Sequence, residues 1–296
     1  MTTLDQLLTE QIDDRYAHLD QAPVAQLAQL MNEADASVPG AVRSAIPQIV
    51  PAIEAVVERL AAGGRLIYVG AGSAGRIAVL DASEIPPTFN APPTLVQAVI
   101  AGGFQAVVRT AEGAEDDTAA ASLAIDSLEV SASDAVMGIA ASGRTPYVLA
   151  AMGAARQRGA VTVGLSCNVD TALSAAVDFP IEVPVGPEVL AGSTRLKAGT
   201  AQKLVLNMVS TIAMVRLGKA YGNLMVDMRV TNGKLRDRAL RIIERVTGCT
   251  RAVAEKALHA ADNEVKTAIV IVARSSTVEV ARQRLAAASG RLRDAL

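Results

Sequence analysis

Tryptophan is missing from this chain of 296 residues, and phenylalanine and tyrosine come to only three and four. Single-stranded nucleic acid is gripped by stacking its bases on aromatic rings, so this scarcity removes the platforms such a protein needs. An excess of one charge is lacking too: 28 lysines and arginines stand against 30 aspartates and glutamates, and no strong field invites a nucleic acid or an anionic membrane. Cysteine is reduced to Cys167 and Cys249, far apart and outside any C-x-x-C spacing, which suggests neither a disulfide framework nor a zinc site. His18 and His259 have no second ligand at helical spacing, so no metal is expected. The opening MTTLDQLLTEQIDD is acidic and polar, and no run of about eighteen apolar residues follows it. The expectation is a soluble cytoplasmic protein in a reduced compartment, with no membrane and no nucleic acid as partner. Half of the residues are nevertheless apolar, so the core must be built from Ala, Val, Leu and Ile.

The stretch LIYVGAGSAGRIAVLDASEIPPTF, residues 66–89, organises the rest. Leu66 to Val69 suits a buried strand, and Gly70, Gly72 and Gly75 follow at once. Ile77 to Leu80 then reads as a helix that Pro86 and Pro87 should end, because the residue before a proline is pushed out of the helical region. Strand, glycine loop and helix bring unpaired N–H groups and a positive dipole end to one point, a site for an anion and for phosphate above all. GAGSAG also fits the dinucleotide fingerprint, but that fold wants an acid about twenty residues further on. The next strand, Thr94 to Ile100, ends in Ala101-Gly102-Gly103 with no carboxylate, so the reading passes to a small molecule that bears a phosphate.

Upstream, residues 1–36 read as an irregular arm and a short amphipathic helix, and Val38 to Ala62 as a longer helix that Pro47 and Pro51 bend or restart. Downstream come a helix from Glu112 to Leu128, a strand from Ala135 to Ala140, a helix from Pro146 to Arg158, strands at Val161–Leu165 and Phe179–Val183, and a helix from Ser193 to Leu217. Apolar strands alternating with helices predict an α/β fold with a parallel sheet covered on both faces. From Asn232 onward only helices are expected, at Lys234–Val246, Thr250–Ala261, Glu264–Val272 and Thr277–Ala288, with Arg236, Arg238, Arg241 and Arg245 on a solvated face. The division expected is a helical arm at 1–53, a sheet domain at 54–220 and a small helical bundle at 221–296.

Ser142, Gly143 and Thr145 stand in a second loop at a strand's carboxyl end, matching Gly72 and Ser73 in the first. Two loops with hydroxyls suit the binding of a phosphate monoester, although an N-cap for the following helix reads equally from Ser142-Gly-Arg-Thr145. No Walker lysine is present, which argues against nucleotide hydrolysis. Glu84, close to the expected end of its helix, is placed where a charged carboxylate is disfavoured and a proton donor is suited. Glu112, Glu115, Asp116 and Asp117 crowd the first turn of the next helix, where ionisation is favoured by ~0.3–1 kcal/mol, or where they simply cap it. Glu84 lies eleven residues past Ser73, ~16 Å along a helix, so either that helix is short or bent or Glu84 serves a partner's crevice in a dimer. Glu188, Ser193, Thr194, Arg195 and Lys197 open the last long helix as caps or as a second rank of site residues.

VGAGSAGRIAVLDASEIPPTF, EGAEDD at 112–117, ASGRTPYV at 141–148, GPEVLAGSTRLKAGTAQKLVLNMVST at 186–211 and YGNLMVDMRVTN at 221–232 together resemble the N-acetylmuramic acid 6-phosphate etherases. The resemblance implies a three-layer sugar isomerase (SIS) sandwich with a small C-terminal helical domain, a cytoplasmic homodimer of peptidoglycan recycling, and cleavage of the D-lactyl ether without metal or nucleotide. It implies Glu84 as the acid that protonates the departing lactate and Glu115 as the base that takes the proton from carbon 2. The family loop usually reads GTSGR, and Ser73-Ala74 stands here in place of Thr-Ser, so one hydroxyl is kept and one lost. A non-catalytic sugar-phosphate sensor and an aldose–ketose isomerase are the alternatives.

Overall fold

The computed structural model describes residues 7–296, so the first six residues of the expected arm lie outside the described residues. Two compact units divide the chain: the first runs to Ser83 and takes up Thr94–Ser210, and the second comprises Glu84–Pro93 and Thr211–Leu296. In the first unit lie α1 (Val24–Asp35), α2 (Val38–Ala61), β1 (Leu66–Gly70), the start of α3 (Gly72–Phe89), β2 (Val96–Ile100), α4 (Gln105–Val108), α5 (Thr118–Ser127) and β3 (Ala135–Ile139). It continues with α6 (Pro146–Gln157), β4 (Val161–Ser166), α7 (Ala172–Ala176), β5 (Phe179–Glu182) and most of α8 (Lys197–Arg216).

All five strands are parallel, in the order β2-β1-β3-β4-β5. β1 and β3 are buried at every position, which is what covering a parallel sheet on both faces demands. Ile67, Val69 and Val136 pack against Ile125 of α5 and Val148 and Met152 of α6. Tyr68 points the other way, where its hydroxyl donates to Asp81 of α3 at 3.0 Å. Asp81 also accepts from Asn207 Nδ2 at 2.6 Å and Ser210 Oγ at 3.1 Å on α8, so one buried carboxylate joins strand and both helices. This is the three-layer α/β sandwich expected. The stretch Val24–Ala61 is long and apolar enough by composition to cross a bilayer. Within it α2 buries Val42, Ala45, Ile49, Ile53 and Val56, the apolar side it packs on the sheet.

The long helix expected at 38–62 is α2, which runs through Pro47 and Pro51 without a restart. Two other expectations need correction. α3 runs on through Pro86 and Pro87 to Phe89, because Ile85 and Phe89, one turn apart, are both buried and hold the last turn despite two lost N–H groups. Glu84 therefore sits inside the helix, five residues before its end, and the terminal dipole argument for it lapses. α5 begins only at Thr118: Gly113 adopts a left-handed backbone (φ 70°), Ala114–Asp116 form a 3-10 turn, and Asp117 caps α5 by accepting from Ala120 N–H at 2.8 Å. Glu112, Glu115 and Asp116 thus precede the helix instead of occupying its first turn.

The second unit is helical, with α9 (Gly233–Thr247), α10 (Arg251–Ala260), α11 (Val265–Arg274), α12 (Val278–Ala287) and α13 (Leu292–Ala295) around Leu240, Ile243, Leu258, Ile269 and Leu285. Asn232 caps α9 by accepting from Leu235 N–H at 2.9 Å, and Arg236, Arg238, Arg241 and Arg245 are exposed as expected.

At the amino edge of the sheet, Asp134 accepts from Arg65 N at 3.0 Å, Arg65 Nη2 at 2.8 Å and Ser131 N at 3.0 Å. Burial pushes its pKa up, but the Arg65 and Ser131 hydrogen bonds outweigh burial and hold it below the ordinary 3.8. A depressed folded-state pKa stabilises above the unfolded value, and that contribution is lost as pH falls through the folded one. Asp134→Asn is expected to cost about 2 kcal/mol at pH 7, with allowance for the partly exposed guanidinium. The gap between urea melts of the two proteins should start to narrow as pH falls below about 4 and close only below the depressed folded-state pKa. A second variant, Gly75→Ala, places a Cβ 2.6 Å from Ile100 Cγ1 and 2.9 Å from Gly70 O. It should lower the denaturation midpoint by the equivalent of about 1–3 kcal/mol.

Candidate functional site

β2 and β3 flank β1 on opposite sides, so the chain reverses its direction of winding between β1 and β3. Open α/β sheets hold their ligands at such a switch point, outside the carboxyl ends of the strands. Gly70 pairs with Ile139 at the last position of the two strands, which brings the loops after them side by side, ~4.8 Å apart at the start.

The first loop is one residue long. After Ala71 the chain enters α3, and Gly75 N–H makes the first bond, to Ala71 O at 3.2 Å. The N–H groups of Gly72, Ser73 and Ala74 precede that bond and form the anion-ready end of the helix. Ser73 is half-buried, whereas the Ala74 methyl is buried. The methyl thus occupies the inward position at which the resemblance leads one to expect a second hydroxyl.

The second loop is a tight turn. Gly143 N–H donates to Ala140 O at 2.9 Å and Gly143 O accepts from Leu173 N–H at 2.9 Å. Its backbone is left-handed (φ 65°), and a Cβ there would come within 2.4 Å of Thr171 Cβ. Gly143 therefore shapes the turn, and its N–H is already engaged. Arg144 N–H donates to Ser142 Oγ at 3.3 Å. Thr145 occupies the N-cap position of α6, yet its hydroxyl makes no capping bond. Pro146 preorganises the first turn, leaving the N–H groups of Tyr147 and Val148 and the half-buried hydroxyls of Ser142 and Thr145 to face a ligand.

Glu115 stands on the edge of a cavity of about 330 Å³ that Ala71, Gly72, Arg76, Ala101 and Glu112 also line. The structure thus brings Glu115 and Gly72 to one space, with Ser73 next in the chain and the Ser142–Thr145 turn on the neighbouring strand. Glu84 is exposed on α3 and belongs to the other compact unit.

The polar cluster before α8 resolves into a staple. Glu188 is buried and accepts from Lys197 N–H and Ala198 N–H, both at 2.9 Å, at the first turn of α8. Lys197 Nζ donates to Val185 O at 2.7 Å, and burial lowers its pKa while the Glu188 charge opposes the fall. Cys167, buried beside this turn, has its thiol pushed up to about 12, chiefly by burial, so it behaves as a small hydrophobe. Two arginines escaped the sequence reading: Arg76, whose Nε donates to Val107 O at 3.0 Å at the cavity edge, and Arg144, whose one signal is its place between two hydroxyls. Among the described residues no three His, Cys, Asp or Glu side chains gather as a metal requires.

Residues 48–156 match the N-terminal SIS domain of glucokinase regulatory protein, and residues 222–266 match that protein's C-terminal lid domain. Among solved structures the chain is similar to a putative phosphosugar isomerase involved in capsule formation from Bacteroides fragilis, with a TM-score of 0.50 and 17% identity over 73% of this chain and 97% of that one. At that identity the likeness speaks for the fold alone. It is 57% identical to the N-acetylmuramic acid 6-phosphate etherase of Rubrobacter xylanophilus over 97% of this chain and 96% of the relative. It is 54% identical to the etherase of Streptomyces avermitilis over 99% of this chain and 94% of the relative. Alignments of that length span sheet unit and helical unit alike, and the chain belongs to the N-acetylmuramic acid 6-phosphate etherase family.

Proposed function

We propose that the crevice at the switch point cleaves the D-lactyl ether of N-acetylmuramic acid 6-phosphate, giving N-acetylglucosamine 6-phosphate and D-lactate. The observation that carries this reading is the identity with etherases over nearly the whole chain. The site is consistent with it in detail. Two helix amino ends, with Gly72, Ser73, Ser142 and Thr145, offer backbone N–H and hydroxyl donors to the 6-phosphate, and Gly143 sets the shape of the second turn.

Ring opening exposes an aldehyde at carbon 1, which acidifies the proton on carbon 2. Glu115, on the cavity edge beside Gly72, takes that proton. The carbon 3–oxygen bond then breaks as a carbon 2–carbon 3 double bond forms, and Glu84 protonates the departing lactate oxygen. Glu84, now ionised, takes a proton from water as its oxygen adds to carbon 3, and Glu115 returns the proton to carbon 2. No net oxidation occurs, and the ether is exchanged for a hydroxyl.

Glu84 lies eleven residues past Ser73 on one continuous helix, ~16 Å along its axis. A single hexose phosphate is shorter than that. This spacing supports a cytoplasmic homodimer in which each crevice takes Glu84 from a second copy of the chain, and the two free cysteines fit a reducing compartment.

Glu84→Gln and Glu115→Gln should each reduce D-lactate release by about 10²–10⁴-fold while leaving N-acetylglucosamine 6-phosphate affinity within a few-fold. Unimpaired D-lactate release in both variants would overturn the assignment of these two acids, and a wild-type protein that releases no D-lactate would overturn the etherase reading in favour of a sensor or an isomerase. Mixing the two inactive variants, with subunit exchange, should restore roughly a quarter of wild-type activity if each site draws on two copies. No recovery despite proven exchange would assign both acids to one copy.

A further inference from the structure

Arg144 stands between the hydroxyls of Ser142 and Thr145, at the carboxyl end of β3. Its Nη1 is buried and has no hydrogen-bond partner among the described residues. Arg65 and Arg158 of the same sheet unit meet Asp134 and Asp126, and Arg59, whose Nε is also buried without a partner, lies on α2, ahead of β1 and away from the loops at the carboxyl ends of the strands. Burying a charged donor without an acceptor costs ~1–3 kcal/mol or more, and such a group in a native fold calls for an explanation. The switch point supplies one, since a ligand's acceptor can complete the guanidinium when it binds.

A guanidinium presents parallel N–H groups in a plane, the geometry that meets two oxygens of one anion. The substrate read above carries two anions, the 6-phosphate and the carboxylate of the lactyl ether. Hydroxyls and two helix amino ends already answer the phosphate, which accepts donors from many directions. The planar carboxylate has no donor among them. We propose that Arg144 binds the lactyl carboxylate and is the residue by which this site tells the ether from its product, which keeps the phosphate and has lost the carboxylate. The inference rests on the etherase reading and adds to it the basis of substrate discrimination.

The test compares the two sugar phosphates on Arg144→Gln and Arg144→Lys. For Arg144→Gln, kcat/KM for N-acetylmuramic acid 6-phosphate should fall roughly 30-fold or more, as truncation of one partner of a buried charge pair does. The Kd for N-acetylglucosamine 6-phosphate, from calorimetry, should move by less than about 3-fold, a tenfold change being ~1.4 kcal/mol. Arg144→Lys should regain part of the loss on the ether alone. Equal weakening of both ligands would overturn the proposal, because Arg144 would then hold the phosphate or merely support the turn. Unchanged turnover would overturn it as well. Where a thermal melt shows Arg144→Gln unfolded, the same ratio measured on Arg144→Lys decides. Failure of the wild-type protein to release D-lactate is a separate outcome, which removes the etherase reading and this inference with it.

Discussion

The first turn of α3 can approach the end of β1 only because neither Gly70 nor Gly75 has a side chain. A Cβ on Gly70 would lie 2.8 Å from Gly75 N, and one on Gly75 would lie 2.9 Å from Gly70 O. With both absent, the helix begins one residue after the strand, and its free N–H groups open directly at the switch point. Nine residues beyond Gly72, Asp81 fixes the same helix a second time, through three donors from β1 and α8. Burial, then the neighbouring Asp81 charge, raises the pKa of Tyr68 well above the ordinary tyrosine value, so its phenol remains a donor to that carboxylate at any working pH. The backbone that greets the anion is therefore set by a steric contact at one point and a hydrogen-bonded carboxylate at another.

The sheet was legible because a parallel strand covered on both faces has to be apolar at every position, and β1 and β3 are. The glycines were legible as a handover from strand to helix, though not as a packing contact, since Ile100 comes near Gly75 only once β2 lies beside β1. Pro86 and Pro87 misled for a matching reason. Local stereochemistry says stop, but Ile85 and Phe89 are 3% and 7% exposed, and the burial they share outweighs the missing N–H groups. Four acids between 112 and 117 look alike in one dimension. Only Asp117 becomes a cap, because the left-handed Gly113 delays the helix until the acids ahead of it have passed.

At the site, the hydroxyls could be read from their position at strand ends, because that position follows from the alternation of strands and helices alone. What Arg144 and Lys197 do could not. Both are cations in polar clusters at the start of a helix, yet Lys197 Nζ finds the Val185 carbonyl at 2.7 Å while Arg144 Nη1 finds no partner among the described residues. A cation's partner is set by chain segments distant in sequence or by the turn it folds into, and neither is visible before folding. The same holds for Glu188, whose carboxylate accepts from two backbone N–H groups of α8.

Neither acid of the proposed pair owes its task to a helix end. Glu84 lies mid-helix and exposed, and Glu115 sits in a 3-10 turn that a glycine separates from the acid before it. Their different duties must then come from the substrate, whose carbon 2 proton and carbon 3 oxygen lie on neighbouring atoms and need opposite proton traffic. A site of this kind gains rate by holding a flexible, ring-opened chain in one pose, so that the binding energy of groups remote from the bond being broken orients the atoms that react. The 6-phosphate is such a group, three carbons beyond the ether. In the proposed site the two helix starts at β1 and β3 would hold that anchor, and the proposed acids, Glu84 and Glu115, stand on more exposed positions.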